Sequence, residues 1–449
     1  MRRSLRTTAL TSALGLLLLL VGFGAGWISA LALGGRFPVG ADLLAFIGPG
    51  VGANASTPAQ LRRDFSVFWE VWNLVEREFY TTRPLDRTRM IQGAIKGMLQ
   101  SLDDQYTVYQ EPELARQTNE HMQGKMGGIG TYLRITDGRA FLWKPIKGAP
   151  AAAAGLVQDD ELVEVDGVAI GPLIAGLESN QAAVKVASLL RGEPGTPVAL
   201  VIRRAADGTL LRITLTRADV TVISVESQML DGGIGYIKIS EFKANTTGEF
   251  DAAVRDLRAR GLRGLVLDLR NNPGGFLQNA QDVLGRFYSG VALVEERRGG
   301  VTETINTNPA PLNARVPDVP LVVLVNGGTA SASEIVAGAL REKWPATYLL
   351  GEKTFGKGSV QYIHPLSDGG SARITIAHWF TPNRTAINKV GITPQFVVPY
   401  SEDARYPVPC VGGRQPAAGQ SACGDSQLAW ALRLLTTGET PPPGMSAAK

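Results

Sequence analysis

Histidine, cysteine and long runs of like charge are scarce in this chain of 449 residues. It contains 3 histidines and 2 cysteines, and 45 basic residues nearly balance 41 acidic ones. The histidines, His121, His364 and His378, share no spacing typical of metal ligands. These shortages argue against a Ser-His-Asp hydrolase, a metal site and a nucleic-acid-binding surface. We therefore predict a protein without a metal site and without a nucleic-acid partner.

The N-terminus carries the longest uncharged stretch. Residues 1–35 open with the basic lead Met1–Arg6 and continue without charge through Leu16–Val21. This pattern is typical of a secretory signal peptide, with Ala30–Ala32 as a cleavage site, or of a single membrane span. The length of the uncharged stretch favours the membrane span. In both cases the catalytic part is expected outside the cytoplasmic membrane, either anchored to it or secreted or periplasmic. Residues 36–60, rich in Gly, Pro and Ala, are expected to be a linker.

The two cysteines, Cys410 and Cys423, lie close together near the C-terminus. In an exported protein such a pair is most simply a disulfide, and the alternative is two free thiols. Residues 401–449 are otherwise expected to be a tail that contains one helix, over residues 427–435.

The most informative stretch covers residues 321–363. Leu321–Val325 is fully apolar and predicts a buried strand, after which a Gly-rich turn leads to Ser331 and an Ala-rich helix. Ser331 with Glu334 three positions later is typical of a capping box. Lys357, between two glycines, would ordinarily be a solvated turn residue. A lysine in a desolvated pocket loses its proton more readily, however, and its neutral amine can take the proton of a serine hydroxyl.

The motifs GTASASE and TFGKGSVQ in this stretch resemble the signature of the carboxyl-terminal processing peptidases, also called tail-specific proteases. The resemblance implies Ser331 as nucleophile, Lys357 as general base and Gln361 as the side chain that orients the lysine. Ser333 is the competing nucleophile. Two positions along a helix point its side chain to a different side, which disfavours it.

A third motif, DLRNNPGG over Asp268–Gly275, follows another apolar run. It resembles a strand–turn–helix motif of the same peptidases, and the resemblance implies that the backbone N–H groups of Gly275 and Ala332 form the oxyanion hole. The two charged residues of the motif, Asp268 and Arg270, are expected to be structural partners rather than proton carriers.

Residues 125–218 resemble a PDZ domain. A Gly-apolar-Gly loop, formed by Gly128, Ile129 and Gly130, precedes a strand, and a short Ala-rich helix, a hairpin and a helix ending at Leu190 follow in the PDZ order. Such a loop presents backbone N–H groups to a terminal carboxylate while the next strand pairs with the peptide. The alternative is a small β-domain without a ligand.

Residues 61–124 are expected to be helical, because apolar residues recur every three or four positions. The apolar face is either an ordinary docking surface within the chain or, as the resemblance implies, part of a homodimer contact. The residues of this pattern are Phe65, Phe68, Val71, Trp72, Val75 and Phe79, followed by Ile91, Ile95 and Leu99.

The resemblance implies a crotonase-like (ClpP/crotonase) α/β core over residues 219–400, with the PDZ domain inserted before the nucleophile and the N-terminal helical region ahead of it. It implies an exported or membrane-anchored serine endopeptidase that cleaves proteins near their C-terminus and needs no metal or other cofactor. Its partners would be protein or peptide substrates with apolar C-termini. Two other classes stay open. A non-catalytic PDZ scaffold is disfavoured by the intact Ser-Lys-Gln set, and an acyl-CoA enzyme of the crotonase fold is disfavoured by the export segment.

Overall fold

The computed structural model describes residues 63–412, 414–417 and 419–443. The predicted signal or anchor segment, residues 1–35, and the predicted linker, residues 36–60, lie outside the described residues. The chain divides into two units, between Asp86 and Arg87. Over the ranges that the structure describes, no helix combines the length and the apolar character needed to cross a membrane.

The first unit contains helix α1, Ser66–Glu78. Its aromatic side chains contact one another, with the ring centroid of Phe68 5.2 Å from that of Trp69 and 6.0 Å from that of Trp72. None of its residues is buried, so the packing within this described part of the unit is between neighbouring turns of one helix.

The second unit holds the remaining described elements. Its helices are α2 (Arg87–Gln100), α3 (Pro112–Met122), α4 (Pro150–Ala153), α5 (Ile170–Ile174), α6 (Ser179–Leu190), α7 (Thr246–Ala259), α8 (Leu277–Gly285), α9 (Ala332–Lys343) and α10 (Ser426–Thr437), with short 3-10 turns at Asp231–Gly233 and Leu312–Ala314. Its strands are β1 (Val108–Gln110), β2 (Lys125–Gly128), β3 (Thr131–Thr136), β4 (Arg139–Pro145), β5 (Glu161–Val165), β6 (Val168–Ala169), β7 (Pro197–Arg203), β8 (Leu210–Thr216), β9 (Ala218–Thr221), β10 (Val225–Leu230), β11 (Ile234–Ile239), β12 (Gly264–Asp268), β13 (Val291–Arg297), β14 (Val301–Asn306), β15 (Leu321–Val325), β16 (Thr347–Gly351), β17 (Ser359–Pro365), β18 (Ser371–Phe380), β19 (Phe396–Val397), β20 (Pro407–Val408) and β21 (Cys423–Gly424).

The main sheet has the strand order β10-β11-β12-β15-β16-β19. All its neighbours pair in parallel except β10, which runs antiparallel to β11. Every residue of β12 and β15 is buried, as expected for parallel strands covered on both faces. The predicted strand Leu321–Val325 is confirmed. Alternate residues of the strands pack on opposite sides, against α7, α8 and α9 on one face and against α10 on the other.

The second sheet is antiparallel, in the order β1-β18-β13-β14, with β17 also paired to β18. Strand β1 lies in the region predicted to be helical over residues 61–124, so that prediction is wrong at Val108–Gln110. The region is also not one unit, because the chain divides after Asp86. The physical reason is pairing, since Tyr109 is buried opposite Ala372 of β18.

Residues 125–221 form what we call the small domain. The pair β2 and β9 closes it at its base, and its sheet has the order β3-β4-β5-β7-β8 with β6 on β5. It has a hydrophobic core of its own, built from residues between Ile129 and Leu215. Strand β3 lies at the edge of this sheet, beside α6.

The prediction of a tail over residues 401–449 is wrong for the described residues from 401 to 438. Helix α10 contains the predicted helix over 427–435, and its fully buried residues Leu428 and Ala431 pack on Val266 and Val322 of the main sheet. Both faces of a parallel sheet are normally covered, and this segment covers one of them. Cys410 and Cys423 are joined by a disulfide within the same segment.

Candidate active site

Three loops meet beyond the carboxyl ends of neighbouring strands of the main sheet. They follow β12 (residues 269–276), β15 (residues 326–331) and β16 (residues 352–358). Sites in open α/β sheets lie at this edge, because parallel strands direct their following loops to the same side. The three motifs singled out in the sequence are these three loops.

Ser331 ends the loop between β15 and α9. Its backbone has φ 58° and ψ −120°, a region that side-chain-bearing residues rarely adopt and that stores strain. The residue lines a cavity of about 280 Å³ together with Lys357, Gln361, Gly275 and Ala332. All five residues predicted from the motifs therefore face one cavity.

The carboxylate of Glu334 fixes the Ser331 loop to the Lys357 loop. Its Oε2 accepts from the backbone N–H groups of Ser331 and Lys357, each at 2.9 Å. Its Oε1 accepts from the N–H of Gly356 at 2.8 Å and from Oγ1 of Thr354 at 2.5 Å. The side chain is fully buried, so one residue of the predicted capping box also positions a loop more than twenty positions further along the chain.

Hydrogen bonds fix the backbone of Lys357, whereas its side-chain amine lies against the ring of Tyr106. Nε1 of Trp379 donates to the Lys357 carbonyl at 3.1 Å, so both backbone groups of the lysine are bonded. Its Nζ lies 4.6 Å from the ring centroid of Tyr106, in the loop that precedes β1. Among the hydrogen bonds of the described residues, none joins Lys357 Nζ to Ser331 Oγ. The predicted nucleophile and base share a cavity but are not hydrogen-bonded in this conformation.

Burial lowers the pKa of the Lys357 amine below its ordinary value, and the positive charge of Arg373 lowers it further. The carboxylate of Asp104 opposes this shift without reversing it. A lysine in such surroundings gives up its proton more readily than a solvated one.

Gln361 lies on β17 and faces the same cavity. Its Nε2 donates to Oγ of Ser359 at 2.8 Å and to Oγ1 of Thr375 at 3.1 Å. Within the described part of the chain it makes no hydrogen bond to Lys357. The amide is thus held by its nitrogen, which leaves its oxygen as the atom that can accept from an ammonium group.

Backbone N–H groups of the two predicted oxyanion residues are available. Neither the N–H of Gly275 nor that of Ala332 donates to any residue that the structure describes. Gly275 has φ 135°, and a Cβ there would overlap the Phe242 carbonyl, so only glycine fits. A Cβ on Gly274 would lie 2.7 Å from Cβ of Ser331, which shows how closely this turn approaches the serine.

Ser333, the competing nucleophile, is fully buried and engaged in the scaffold. Its Oγ accepts from the Ala330 N–H and lies within hydrogen-bond distance of the carbonyl oxygens of Asn272 (2.8 Å) and Ala330 (2.7 Å), between which its one O–H is shared. It therefore ties the β15 loop to the β12 loop and does not line the cavity.

Asp268 and Arg270 form a buried ion pair at 2.6 Å, behind the loops. Burial raises the pKa of the Asp268 carboxyl, but Arg270 and a hydrogen bond from Tyr236 more than offset this, so the pKa lies below its usual value. Arg270 also donates to Oδ1 of Asp425 and Oε1 of Gln427, each at 3.0 Å. The pair connects the core to α10, in agreement with the predicted structural role.

Three contributors to the site were not predicted. The bridging role of Glu334 depends on contacts distant in sequence, although its capping position was visible. Tyr106 and Arg373 carry no local signal, because they enter the site through the β1–β18 and β17–β18 pairings.

Over the ranges that the structure describes, no group of three or more His, Cys, Asp or Glu side chains is arranged to hold a metal ion.

The small domain has a separate groove of about 330 Å³ between β3 and α6. Gly128, Ile129 and Gly130 line one end of it, and the remaining wall is mostly apolar. The residues beyond this loop that line the groove include Leu133, Ile146, Ala183, Val184, Ala187 and Leu190.

Comparison with known proteins gives consistent results. Residues 233–398 match the model of peptidase family S41, and residues 51–114 match that of the N-terminal domain of the activating protease CtpB. The carboxy-terminal processing protease CtpA of Bacillus subtilis is 35% identical over 340 residues, which are 75% of this chain and 70% of the relative. The carboxy-terminal-processing protease of Bartonella bacilliformis is 36% identical over 78% of each chain. The solved photosystem II D1 C-terminal processing protease is 31% identical over 74% of this chain and 92% of its own, with a TM-score of 0.43.

Proposed function

The chain belongs to peptidase family S41, among the carboxyl-terminal processing proteases, and from this premise we propose that Ser331 is its nucleophile and Lys357 its general base. The observation that carries the proposal is the Glu334 carboxylate, one oxygen of which accepts from the backbone N–H groups of both residues. This shared anchor fixes the backbones of the two residues, whose side chains line one cavity, and so supports the proposal. Proximity of this kind is what a nucleophile and its base require.

In the proposed reaction the neutral amine of Lys357 takes the proton of Ser331 as Oγ attacks the peptide carbonyl. The carbonyl oxygen becomes an oxyanion and receives hydrogen bonds from the N–H groups of Gly275 and Ala332, which have no other acceptor among the described residues. The C–N bond then breaks, and the lysine ammonium returns the proton to the leaving amine. Water hydrolyses the resulting acyl-enzyme with the lysine again as base.

This chemistry requires the Lys357 side chain to leave the ring of Tyr106 and turn toward Ser331. The lysine backbone is held by Glu334 and Trp379, so the proposed movement is a rotation about its side-chain bonds. Gln361 is the proposed acceptor that holds the lysine in the active position, because its nitrogen is already anchored and its oxygen is not.

The small domain is proposed to act as a PDZ domain that captures apolar C-terminal tails. An added peptide strand would extend the open edge of β3, with its terminal carboxylate at the N–H groups of Gly128, Ile129 and Gly130. The apolar groove beside α6 supports this. For the core over residues 219–400 we propose the crotonase-like arrangement, which accords with its parallel sheet and strand-end site.

An extracytoplasmic location for the catalytic part is proposed on two grounds. The basic lead and uncharged stretch within residues 1–35 are typical of export. The disulfide between Cys410 and Cys423 is typical of proteins in an oxidising compartment. A homodimer formed through the N-terminal helices stays a prediction.

The test uses the full-length protein in detergent, as wild type, Ser331→Ala and Lys357→Ala. Each is incubated with an unfolded polypeptide that ends in three valines and with the same polypeptide ending in three aspartates. We expect cleavage by the wild type only, and faster cleavage of the valine-ended substrate. The matched control is Lys353→Ala, an exposed lysine of the same loop, which should cleave like the wild type.

The two parts of the proposal fail separately. Cleavage by Lys357→Ala at the wild-type rate would exclude the Ser-Lys mechanism. Equal cleavage of the two tails would keep that mechanism and exclude tail selection by the small domain.

A further inference from the structure

Arg373 is a cation in the active-site cavity that the proposed reaction does not use. It lies on β18, where its neighbours in the paired strands are Ile363 of β17 and Val108 of β1. Arg373 and Ile363 line the cavity together with Ser331 and Lys357. Because directly paired residues point to the same face of a sheet, Arg373 projects from the face that carries Ile363.

The guanidinium of Arg373 has no partner within the described residues. Its Nε is buried and makes no hydrogen bond, and none of the ion pairs that the structure describes includes it. The residue as a whole is half-buried. Two more deeply buried arginines each have a carboxylate partner, since Arg270 pairs with Asp268 at 2.6 Å and Arg286 with Asp251 at 2.7 Å. An unpaired cation that is partly removed from water is costly, so the unpaired guanidinium in this cavity indicates a position for an anionic ligand.

The charges around Arg373 favour an anion. Glu241 is the one carboxylate among the residues that line the cavity, and it is already bonded to Nε2 of His121 at 2.6 Å and lies 3.4 Å from Nζ of Lys243. Lys357 adds a second basic group to the lining of the cavity. The cavity therefore contains positive charge that no acidic residue lining it neutralises.

The nearby carboxylate of Asp104 is also occupied. Its oxygens accept from the N–H of Tyr106 at 3.1 Å and from Oγ1 of Thr107 at 2.7 Å. It lies outside the lining of the cavity and makes no ion pair with Arg373 in the described structure. Among the described residues, neither of these two carboxylates is left to pair with Arg373, so an anionic ligand could complete the site.

We propose that Arg373 binds a carboxylate of the polypeptide substrate beside the scissile bond. A guanidinium pairs with a carboxylate through two parallel N–H···O bonds, which gives orientation as well as attraction. The carboxylate belongs either to an Asp or Glu side chain near the cleaved bond or to the C-terminus of the substrate. This inference deepens the proposed function and rests on it, since it assigns a substrate preference to the same cavity.

The experiment first maps the bonds that the full-length wild type cleaves in β-casein, by mass spectrometry. Peptides spanning one such bond are then made with Glu or Gln at each position from the fourth before it to the fourth after it. Each peptide is made with a free C-terminal acid and with a C-terminal amide, so that a side-chain carboxylate and a terminal one are distinguished. The enzymes compared are the wild type, Arg373→Gln, Arg373→Lys and the control Arg298→Gln, an exposed arginine between β13 and β14.

For the wild type and Arg298→Gln we expect a carboxylate at one position to raise kcat/KM at least about tenfold, mainly through KM, as suits a charged hydrogen bond. Arg373→Gln should cleave each carboxylate peptide and its amide counterpart equally, whether the pair differs at a side chain (Glu or Gln) or at the C-terminus. Arg373→Lys should retain part of the preference for the carboxylate. A preference for carboxylate that persists in Arg373→Gln, or its absence in the wild type, would overturn the proposal. A uniform loss for all peptides that leaves the preference for the carboxylate unchanged would also overturn it, because it would show that Arg373 acts only through Lys357.

A binding measurement separates this proposal from the proposed reaction. Fluorescence anisotropy of labelled peptides is recorded with Ser331→Ala and with Ser331→Ala/Arg373→Gln, neither of which needs to cleave. Tighter binding of the carboxylate peptide by the first variant, lost in the second, supports the anchor even where the Ser-Lys mechanism fails. Equal binding by both variants contradicts it even where that mechanism holds.

Discussion

Nζ of Lys357 lies 4.6 Å from the ring centroid of Tyr106, within the range of a cation–π contact. The ring favours the protonated amine, whereas a general base has to be neutral. The contact therefore opposes the proposed reaction in two ways, because it directs the amine to the ring and because it stabilises its charged form. Tyr106 belongs to the loop before β1, which pairs with β18 at the edge of the second sheet.

Replacement of Tyr106 by leucine should raise activity. A cation–π contact of about 0.5–2 kcal/mol corresponds to an increase in kcat of about 2- to 30-fold when the contact is lost in the resting enzyme. The matched control is Tyr106→Phe, which keeps the ring and should behave like the wild type. Steady-state kinetics on one peptide substrate measure both. A lower kcat for Tyr106→Leu would show instead that the ring helps to position the base.

The pH dependence of cleavage should follow Lys357. Burial lowers the pKa of this amine and the charge of Arg373 lowers it further. Only the neutral amine accepts a proton, so kcat/KM should rise as the pH passes upward through the lysine pKa and fall below it. Arg373→Gln removes a positive neighbour and should move the midpoint to higher pH, whereas Arg373→Lys should move it less. A profile that is identical in Arg373→Gln would mean that the two cations do not interact.

Glu334→Gln should weaken both the fold and the reaction. The carboxylate accepts four hydrogen bonds, and an amide nitrogen in place of one oxygen cannot accept two of them. We expect a loss of at least about 2 kcal/mol in the free energy of unfolding and a fall in kcat of about 100-fold, because the loops of Ser331 and Lys357 would shift. Urea unfolding and peptide cleavage provide the two measurements.

The control for Glu334→Gln is Glu296→Gln, at an exposed glutamate of β13. It should change unfolding by less than about 0.5 kcal/mol and leave kcat unchanged. Wild-type kcat in Glu334→Gln would show that the alignment of the two loops does not depend on the shared carboxylate.

The sequence predicts those site residues that lie within short continuous motifs. Ser331, Lys357, Gln361, Gly275 and Ala332 lie in motifs that are continuous in sequence, and all five face one cavity. Strand Leu321–Val325 was predicted with its observed bounds, because a fully apolar run between turns has few other interpretations.

Features that depend on pairing between distant segments were not predicted. Strand β1 has three residues and lies between two helices, so its periodicity is too short to detect, and it forms through its register with β18. Arg373 enters the cavity through the same strand, and nothing in its own sequence marks it as unpaired. The folded segment after residue 400 was missed because its Gly- and Ala-rich composition resembles that of a linker, although α10 covers one face of the main sheet.

The role of α10 gives the last prediction. Leu428 is fully buried among Val266, Val322 and Leu324 of the main sheet, and a leucine truncated to alanine in such a site costs about 2–5 kcal/mol of the free energy of unfolding. Leu428→Ala should lose this amount in urea unfolding. Thr436→Ala, on the exposed side of the same helix, should change it by less than about 0.5 kcal/mol. If the segment were the tail that the sequence indicates, the two variants would unfold alike, because neither side chain would lose packing. A large effect of Leu428→Ala would show that α10 is part of the catalytic core. Arg270 then connects α10 to the loop of the proposed oxyanion hole, through its hydrogen bonds to Asp425 and Gln427 at 3.0 Å.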